Sequence, residues 1–152
     1  MNISIGDHII YIDSIDIDLF EEYHWYVHKQ KSNDIYLCKK KSPHYFHSYV
    51  AEKMGIESKF IDHIDGNGLN NQRSNLRSCN HSLNAMNSKK RPNTTSVYKG
   101  VSKLSGGKWK AQIELNQKSL YLGSFITEEE AALAYNQKAK ELFGEYARLN
   151  DF

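Results

Sequence analysis

Four side chains that can bind a metal ion or move a proton lie close together in the sequence: Asp62, His63, Asn75 and Asn84. A hard divalent cation such as Mg²⁺ takes oxygen ligands, and Asp62 and Asn84 can each supply one side-chain oxygen. His63 is the nearby group whose ordinary pKa suits a general base near neutral pH. The amide oxygen of Asn75 can hold the His63 ring in the tautomer that a base needs. These residue types predict a compact active site.

Each of these residues also has an ordinary structural interpretation. The Gly/Asn-rich stretch at residues 65–68 alone indicates a turn, because Gly and Asn tolerate positive φ. Asn84 alone is more often a solvated helix position. A calcium-binding loop that starts at Asp65 is excluded, because Leu69 and Asn70 stand where it needs a ligand and then a glycine. The joint spacing of the four residues favours the active site.

The same stretch resembles the HNH endonucleases encoded in phage introns and other mobile elements. The matching residues share the order and spacing of that family's motif, and they are Asp62-His63, residues 65–71, Asn75-Leu76-Arg77, Ser82-Leu83-Asn84 and Asn87. The resemblance implies a ββα-metal fold, with one strand ending near His63, a second around Leu76–Cys79 and a helix carrying Asn84. It implies a homing endonuclease in which Asp62 and Asn84 hold Mg²⁺ or Mn²⁺ together with DNA phosphate, while His63 activates the attacking water.

Two further residues extend this resemblance. His47 matches a family histidine ahead of the motif, which makes it a phosphate contact or a support for the catalytic residues. The alternative is a histidine that only packs this segment against the nuclease module. Asn87 is a further candidate within the motif. Asp62 and His63 are adjacent and would face opposite sides of a regular strand, so both serve one site only if the strand ends or bulges there.

Composition limits the class of protein. With 152 residues, of which 39% are hydrophobic, the chain can form one or two small domains with modest cores. No stretch approaches 18 apolar residues, so no transmembrane helix is expected, and the N-terminus has no basic region ahead of an apolar run, as a signal peptide would. Cys38 and Cys79 belong to no CxxC pair, which predicts neither zinc nor disulfides and fits a cytoplasmic protein in the host cell of a phage or mobile element.

Basic residues are concentrated in the middle of the chain. The net charge is only +2, but residues 91–126 carry six Lys or Arg against one acidic residue, and residues 58–90 carry five against two. A polyanion such as DNA would be held there. The cluster Lys89-Lys90-Arg91 has two interpretations, which are compatible: a basic segment that lies along the DNA backbone, and cations that stabilise a helix C-terminus. Arg77 is a further candidate DNA contact.

Local patterns ahead of the motif predict a β-rich extension. The expected elements are short and separated by turn signals. They are a short strand within residues 3–12 that follows a turn at Gly6-Asp7, a helix over Asp16–Tyr23 capped by Asp18, paired strands over 24–29 and 34–39, and a strand-to-helix segment over Tyr45–Met54.

From Tyr98 onward the pattern becomes that of a half-buried sheet and one amphipathic helix. Apolar and polar residues alternate over Trp109–Leu115, and Ser119–Leu122 continues the alternation with Leu120 facing inward. Thr127 and the glutamates after it predict a capping box, which begins a helix with one apolar stripe.

This pattern resembles the plant ethylene-response-factor type DNA-binding domain. The matching residues are spread over strands and helix, and they are Tyr98-Lys99-Gly100-Val101, Gly107-Lys108-Trp109, Tyr121-Leu122-Gly123, Phe125, Thr127, Glu129-Glu130-Ala131-Ala132, Ala134-Tyr135, Gly144 and Leu149-Asn150. The resemblance implies a sheet that lies in the DNA major groove. The side chains that it places towards DNA are Lys99, Lys103, Lys110, Gln112, Glu114, Ser119 and Tyr121. Ser102 and Ser119 stand where plant members usually carry arginine, so the plant target sequence is not expected here.

Together these features predict an α+β DNA endonuclease. A ββα-metal HNH nuclease module with its N-terminal extension is expected at residues 1–91, a linker at 92–97, and a three-stranded antiparallel sheet packed on one α-helix at 98–152. The protein is expected to nick double-stranded DNA as a monomer. The main alternative is a sequence-specific DNA-binding transcription regulator with an inactive nuclease module, and a protein that binds no nucleic acid is the second. An inactive site would have no need of all four candidate residues.

Overall fold

A computed structural model of the protein describes residues 1–30, 33–40, 44–80, 86–88, 90 and 94–152. The chain divides into two compact units, residues 1–81 and residues 82–152. The sequence suggested a boundary at residues 92–97. The structure divides the chain earlier, because Met86 packs against a core cluster of the second unit that contains Tyr135. Within the described part of the chain, no helix is long and apolar enough to span a membrane.

Among its described residues, the first unit contains three antiparallel β-hairpins and two short α-helices. In chain order its elements are β1 (Asn2–Ile5), β2 (His8–Tyr11), α1 (Ile17–Glu21), β3 (Trp25–Lys29), β4 (Ile35–Lys39), α2 (Phe46–Lys53), β5 (Phe60–His63) and β6 (Leu76–Cys79). β1 pairs with β2, β3 with β4, and β5 with β6, each as a two-stranded sheet. Such sheets are marginal alone, and here they share one core in which Ile10, Leu37 and Phe46 are fully buried.

Most predicted elements of this unit are present, with two differences. The turn expected at Gly6-Asp7 and the strand after it are present, with Gly6 at a φ of +57°, but β1 ahead of the turn was not predicted and pairs with β2. The helix expected from Asp16 begins only at residue 17, and Asp18 lies inside it instead of capping it. Asp16 occupies the cap position, but its carboxylate binds Arg73 and not the helix backbone.

From residue 94 onward the second unit contains a three-stranded antiparallel sheet packed on a helix, as the sequence predicted. Its elements are β7 (Val101–Lys103), β8 (Trp109–Leu115), β9 (Lys118–Phe125) and α3 (Glu128–Phe143). Thr127 Oγ1 accepts from Glu130 N while the Glu130 carboxylate accepts from Thr127 N, which is the predicted capping box. The helix lies very close to the backbone just ahead of β7: a Cβ at Gly100 would overlap the ring of Tyr135.

Leu120 lies opposite Ile113, on the face that alternation predicted, but its side chain is 43% exposed whereas that of Ile113 is 2% exposed. The pairing register shifts between Ala111 and Gln112, so the period of two is interrupted in this sheet.

Candidate active site

The β5–β6 hairpin carries the two central residues of the predicted site. In its register Asp62 lies opposite Arg77, and His63 lies opposite Leu76. β5 ends at His63, where Gly66 N donates to the His63 carbonyl at 2.8 Å and closes a turn. Gly66 has a φ of +68°, a conformation that L side chains rarely adopt. The strand therefore ends directly after the adjacent acid and histidine, which is the condition for both to serve one site.

Asp62 is held by a buried ion pair across this hairpin. Arg77 donates two hydrogen bonds to Asp62 Oδ2, from Nε at 3.0 Å and from Nη2 at 2.9 Å. Both side chains are largely buried, so removing either charge from the pair is unfavourable. The sequence assigned Arg77 to DNA. In the structure its guanidinium lies on the candidate metal ligand, and the contact with DNA stays a prediction.

His63 lies in a buried cluster of rings. Its Nε2 is 3.3 Å from Asn71 Oδ1, and its ring centroid is 4.8 Å from that of His47 and 6.0 Å from that of Tyr36. Burial lowers the pKa of His63 below 6.5, while Asn71 and the carboxylate of Asp65 act in the opposite direction. The ring is therefore neutral at neutral pH and can accept a proton.

His47 packs edge-on against His63 and stacks on Tyr45, with ring centroids 5.3 Å apart and an interplanar angle of 9°. Burial, and then the charge of His63, lower the pKa of His47 to about 3, so this ring stays neutral. Its Nδ1 has no hydrogen-bond partner among the described residues. This placement fits a support for the catalytic residues, or simple packing, better than a contact with DNA phosphate.

The loop between β5 and β6 is organised by Asn75 and Asp65. The Asn75 amide donates to Asp65 Oδ1 at 2.9 Å and to Asn70 O at 2.8 Å, and its oxygen accepts from Asp65 N at 3.1 Å. The amide that was expected to hold the His63 ring is thus engaged by the loop, and Asn71 stands at the ring instead. This corrects the expected direct contact between Asn75 and His63.

Asp65 is the charged centre of this loop. Its carboxylate accepts from Asn67 N and from Asn70 Nδ2, each at 2.8 Å, as well as from Asn75. Burial acts to raise the pKa of Asp65, but these hydrogen bonds outweigh it and hold the pKa below its ordinary value. The sequence indicated only a turn here, and its Asp-Gly-Asn order was the available signal for a carboxylate that collects loop donors.

Residues far from the motif fix the other side of the loop. Tyr11 exchanges two backbone bonds with it, donating to Leu69 O at 2.9 Å and accepting from Asn71 N at 2.8 Å. Arg73 donates to both carboxylate oxygens of Asp16, at 2.9 and 2.7 Å. The N-terminal hairpin and the turn after it are therefore part of the scaffold of the site. No local sequence pattern indicated these contacts.

Several predicted site residues lie beyond the β5–β6 hairpin. Those outside the described residues are Asn84, Lys89 and Arg91. Asn87 is buried, and Lys90 is half-buried.

A bound metal would need oxygen donors at this site. Asp62 offers a carboxylate and Asn84 an amide oxygen, which are donors that Mg²⁺ and Mn²⁺ take. Both Arg77 bonds end on Asp62 Oδ2, so the carboxylate is already oriented. The described residues contain no group of three His, Cys, Asp or Glu that could hold a metal. The donor types therefore fit a hard cation that shares its remaining positions with phosphate and water.

The outer face of the second unit's sheet carries most of the side chains expected to face DNA. The exposed ones are Gln112, Glu114, Ser119 and Tyr121, and Lys110 is half-buried. Lys103 is exposed too, but it pairs with Trp109 on the opposite face of the strand, with its Nζ 5.6 Å from the centroid of that ring. Gln112 stands opposite Tyr121, and Glu114 stands opposite Ser119. Tyr121 is 61% exposed. These residues form one polar surface with an aromatic ring in it.

Lys99 departs from this group. Its Nζ donates to Met86 O at 2.8 Å and to Ser88 O at 2.7 Å. Burial, with the nearby charge of Arg148, lowers the pKa of Lys99 to about 8. The amine that was expected to face DNA therefore binds the backbone at the end of the HNH motif.

The first unit contains a hairpin with a buried Asp-His pair and an asparagine-rich loop, and the second contains a sheet and a helix with a polar outer face. These features define the class of the protein, a nuclease that carries its own DNA-binding domain. The chain belongs to the HNH endonuclease family. That family's sequence profile matches residues 44–86. The chain is also 36% identical over 133 residues to an HNH endonuclease of Acanthamoeba polyphaga mimivirus, and the alignment covers 87% of this chain and 69% of the viral protein.

The C-terminal part of the chain matches plant DNA-binding domains. Over 60 residues, or 38% of this chain, it is 50% identical to dehydration-responsive element-binding protein 2E of Oryza sativa subsp. japonica and 48% identical to dehydration-responsive element-binding protein 2D of Arabidopsis thaliana. The matches span 19% and 29% of those proteins. Both family resemblances inferred from the residues are confirmed.

Proposed function

We propose that the protein is a divalent-metal-dependent DNA endonuclease of the homing type, which nicks double-stranded DNA and holds it with its second unit. The observation that carries the proposal is the His63 ring, which is buried at the end of β5, has a lowered pKa and adjoins an ion-paired acid. A neutral base beside an acidic metal ligand is the pair that metal-assisted phosphodiester hydrolysis needs.

His63 is the general base in this proposal. Its neutral ring takes a proton from the water that attacks the scissile phosphorus in line, and the 3′ oxygen leaves. The products then carry 5′-phosphate and 3′-hydroxyl ends. Asp62, oriented by Arg77, and Asn84 would hold Mg²⁺ or Mn²⁺. When bound, the cation supplies charge stabilisation at the phosphate and the leaving oxygen.

The polar face of the sheet supplies recognition. A β-sheet or ribbon fits the major groove, where Gln pairs with adenine and Glu accepts from cytosine. Gln112 and Glu114 both stand on this face. Ser102 and Ser119 replace the arginines of plant members and remove the strongest guanine-reading groups, so we expect a different target sequence. Lys103 would contact phosphate.

One Asp62–His63 pair per chain cuts one strand at a time, so a monomer nicks DNA. The basic cluster at residues 89–91 would lie along the DNA backbone next to the motif. A nick at a chosen sequence suits a mobile element, which is the role that the family resemblance implied.

A DNA-binding regulator with an inactive nuclease module is the second candidate, and one observation favours it. Arg77 already neutralises Asp62, so the buried carboxylate has a cationic partner without any metal. In that case the second unit would bind DNA and the first would leave it intact.

Cleavage of a supercoiled plasmid by the full chain separates the two candidates. We expect nicked circles with Mg²⁺, none with EDTA, and nicking by His63→Ala that is about 10²–10⁴-fold slower. The matched control is His28→Ala, because His28 is an exposed histidine on β3 of the same unit. Salt-sensitive DNA binding without metal-dependent cleavage would establish the regulator instead, and a chain that does not bind DNA would refute both.

A further inference from the structure

Tyr36 lies on β4 beside the candidate active site. Its ring centroid is 6.0 Å from that of His63, 5.9 Å from that of His47 and 5.5 Å from that of Tyr45. These separations are those of aromatic rings in contact. β4 precedes residues 44–86, the part that matches the HNH profile. The N-terminal extension therefore brings a tyrosine to the predicted base.

The loop between β5 and β6 holds this ring in place. Gly68 of that loop passes so close to β4 that a Cβ there would overlap the carbonyl oxygen of Ile35 and the ring of Tyr36. A glycine permits that close approach. Leu37, the next residue of the strand, is fully buried and anchors the backbone. Tyr36 is therefore a fixed part of the wall of the site.

The hydroxyl of Tyr36 makes no hydrogen bond within the described part of the chain. The hydroxyl of Tyr45, in the same cluster of rings, accepts from Gln30 Nε2 at 3.1 Å. Among the described residues, the polar side-chain atoms that are buried without a partner are His47 Nδ1 and Asn71 Nδ2. Tyr36 is half-buried, so its unused hydroxyl is open to solvent. Phenylalanine would pack equally well, and packing alone does not explain the hydroxyl.

This hydroxyl is a donor under the conditions in which a nuclease works. Burial raises the pKa of Tyr36 above its ordinary value of 10, and the charges of Asp34, Tyr45 and Asp62 act in the same direction. The O–H group is therefore retained at neutral and mildly alkaline pH. The influence of Asp62 also indicates that the hydroxyl lies near the acid that precedes His63.

A phosphate attacked by a water on His63 needs donors at its non-bridging oxygens, because these oxygens carry the negative charge of the transition state. The Tyr36 hydroxyl is an unused donor next to that ring. We propose that Tyr36 is a further catalytic residue, whose O–H donates to a non-bridging oxygen of the scissile phosphate. The proposal rests on the proposed function of the His63 site, and it deepens that function.

The first test compares two hydroxyl deletions within one cluster of rings. In Tyr36→Phe the single-turnover nicking rate at saturating DNA should fall about 10–100-fold, the usual effect of losing one hydrogen bond to a charged group. Tyr45→Phe is the matched control and should keep the wild-type rate, because the Tyr45 hydroxyl is bound to Gln30. The Tm of Tyr36→Phe should equal that of the wild type. Its Kd for DNA should change less than its rate, because the second unit holds the duplex.

The second test identifies the contact. Once the nick has been mapped, each non-bridging oxygen of the scissile phosphate is replaced in turn by sulfur, a weak hydrogen-bond acceptor, which gives two phosphorothioate diastereomers. Tyr36→Phe should slow the normal substrate and one diastereomer. It should have no further effect on the other, in which sulfur has already removed the bond. A ring that only packs against the site would slow all three substrates by the same factor.

Three outcomes would overturn the proposal. They are a Tyr36→Phe variant with the wild-type rate, one slowed equally on all three substrates, and one with a strongly lowered Tm, which would give the hydroxyl a partner inside the protein. The proposed function would stand in each case if the wild type cuts DNA. A wild type that binds DNA but never cuts it would refute the proposed function, and the role of Tyr36 with it.

Discussion

Arg77 binds Asp62 through a single carboxylate oxygen. Its Nε and Nη2 both donate to Oδ2, at 3.0 and 2.9 Å, from the position directly opposite on the neighbouring strand. Both side chains are largely buried, so the acid that the motif assigns to metal binding is also one half of an internal ion pair. The pair orients the acid and ties the candidate site to the stability of the hairpin.

Loss of Arg77 should therefore destabilise the protein. Arg77→Ala breaks a buried ion pair from one side, which costs about 3 kcal/mol of unfolding free energy. The double variant Asp62→Ala/Arg77→Ala should lose less than the sum of the two single losses, because it leaves no lone charge. Chemical denaturation of the four proteins measures this, with Lys59→Ala as an exposed control on the same unit. Equal losses for Arg77→Ala and Lys59→Ala would show that the ion pair contributes nothing.

Asp62→Ala and Asn84→Ala should each raise the metal concentration needed for nicking, because each removes a proposed oxygen ligand. Direct titration of the proteins with Mn²⁺ should show correspondingly weaker binding. Glu52→Ala removes an exposed acid from α2 and serves as the control. Activity and binding curves that superimpose on those of the wild type for both variants would remove the proposed metal assignment.

Two lysines that were expected to face DNA should behave differently. Lys103 is exposed on the sheet, so Lys103→Met should make the log–log salt dependence of DNA affinity shallower by about 0.9. Lys99→Met removes an amine that binds the carbonyls of Met86 and Ser88, and it should leave the slope unchanged. Salt titrations of binding with one duplex give both slopes. An equal change in the two variants would show that Lys99 also contacts phosphate.

Lys99 should also make stability depend on pH. Its folded pKa is about 8, below the ordinary 10.5, so between these values the unfolded chain binds more protons and the free energy of unfolding rises with pH. Below pH 8 the amine is charged in both states and adds no slope. The amine should raise the wild-type free energy of unfolding by on the order of 2 kcal/mol across this window, a figure reduced for the partial exposure of Lys99. Lys99→Met should lack this rise. Urea denaturation across the window measures it, and Lys103→Met should keep the wild-type slope.

Elements whose residues follow a local periodic pattern of apolar and polar side chains were predictable from the sequence. β8 has the predicted bounds, because alternation and turn residues specify a strand without reference to distant parts of the chain. β6 also has the predicted bounds, which came from the resemblance to HNH endonucleases. The supports of the site were not predictable in this way. Arg73 and Asp16 are 57 residues apart, and the partner of His63 depended on which loop asparagine was already used by its neighbours. Lys99 turned inward because its acceptors are backbone carbonyls, which every residue carries.

The anchoring of Met86 and Lys99 limits how this chain can be recombined with others. A graft that moved only residues 98–152 onto another nuclease would leave behind Met86, which packs beside Tyr135 and Ala139. It would also leave behind the two carbonyls that accept from Lys99. The transplanted domain would then have an apolar gap in its core and a buried ammonium without those acceptors. A junction that preserves the domain has to lie upstream of Met86. The end of the HNH motif must therefore be transferred together with the sheet.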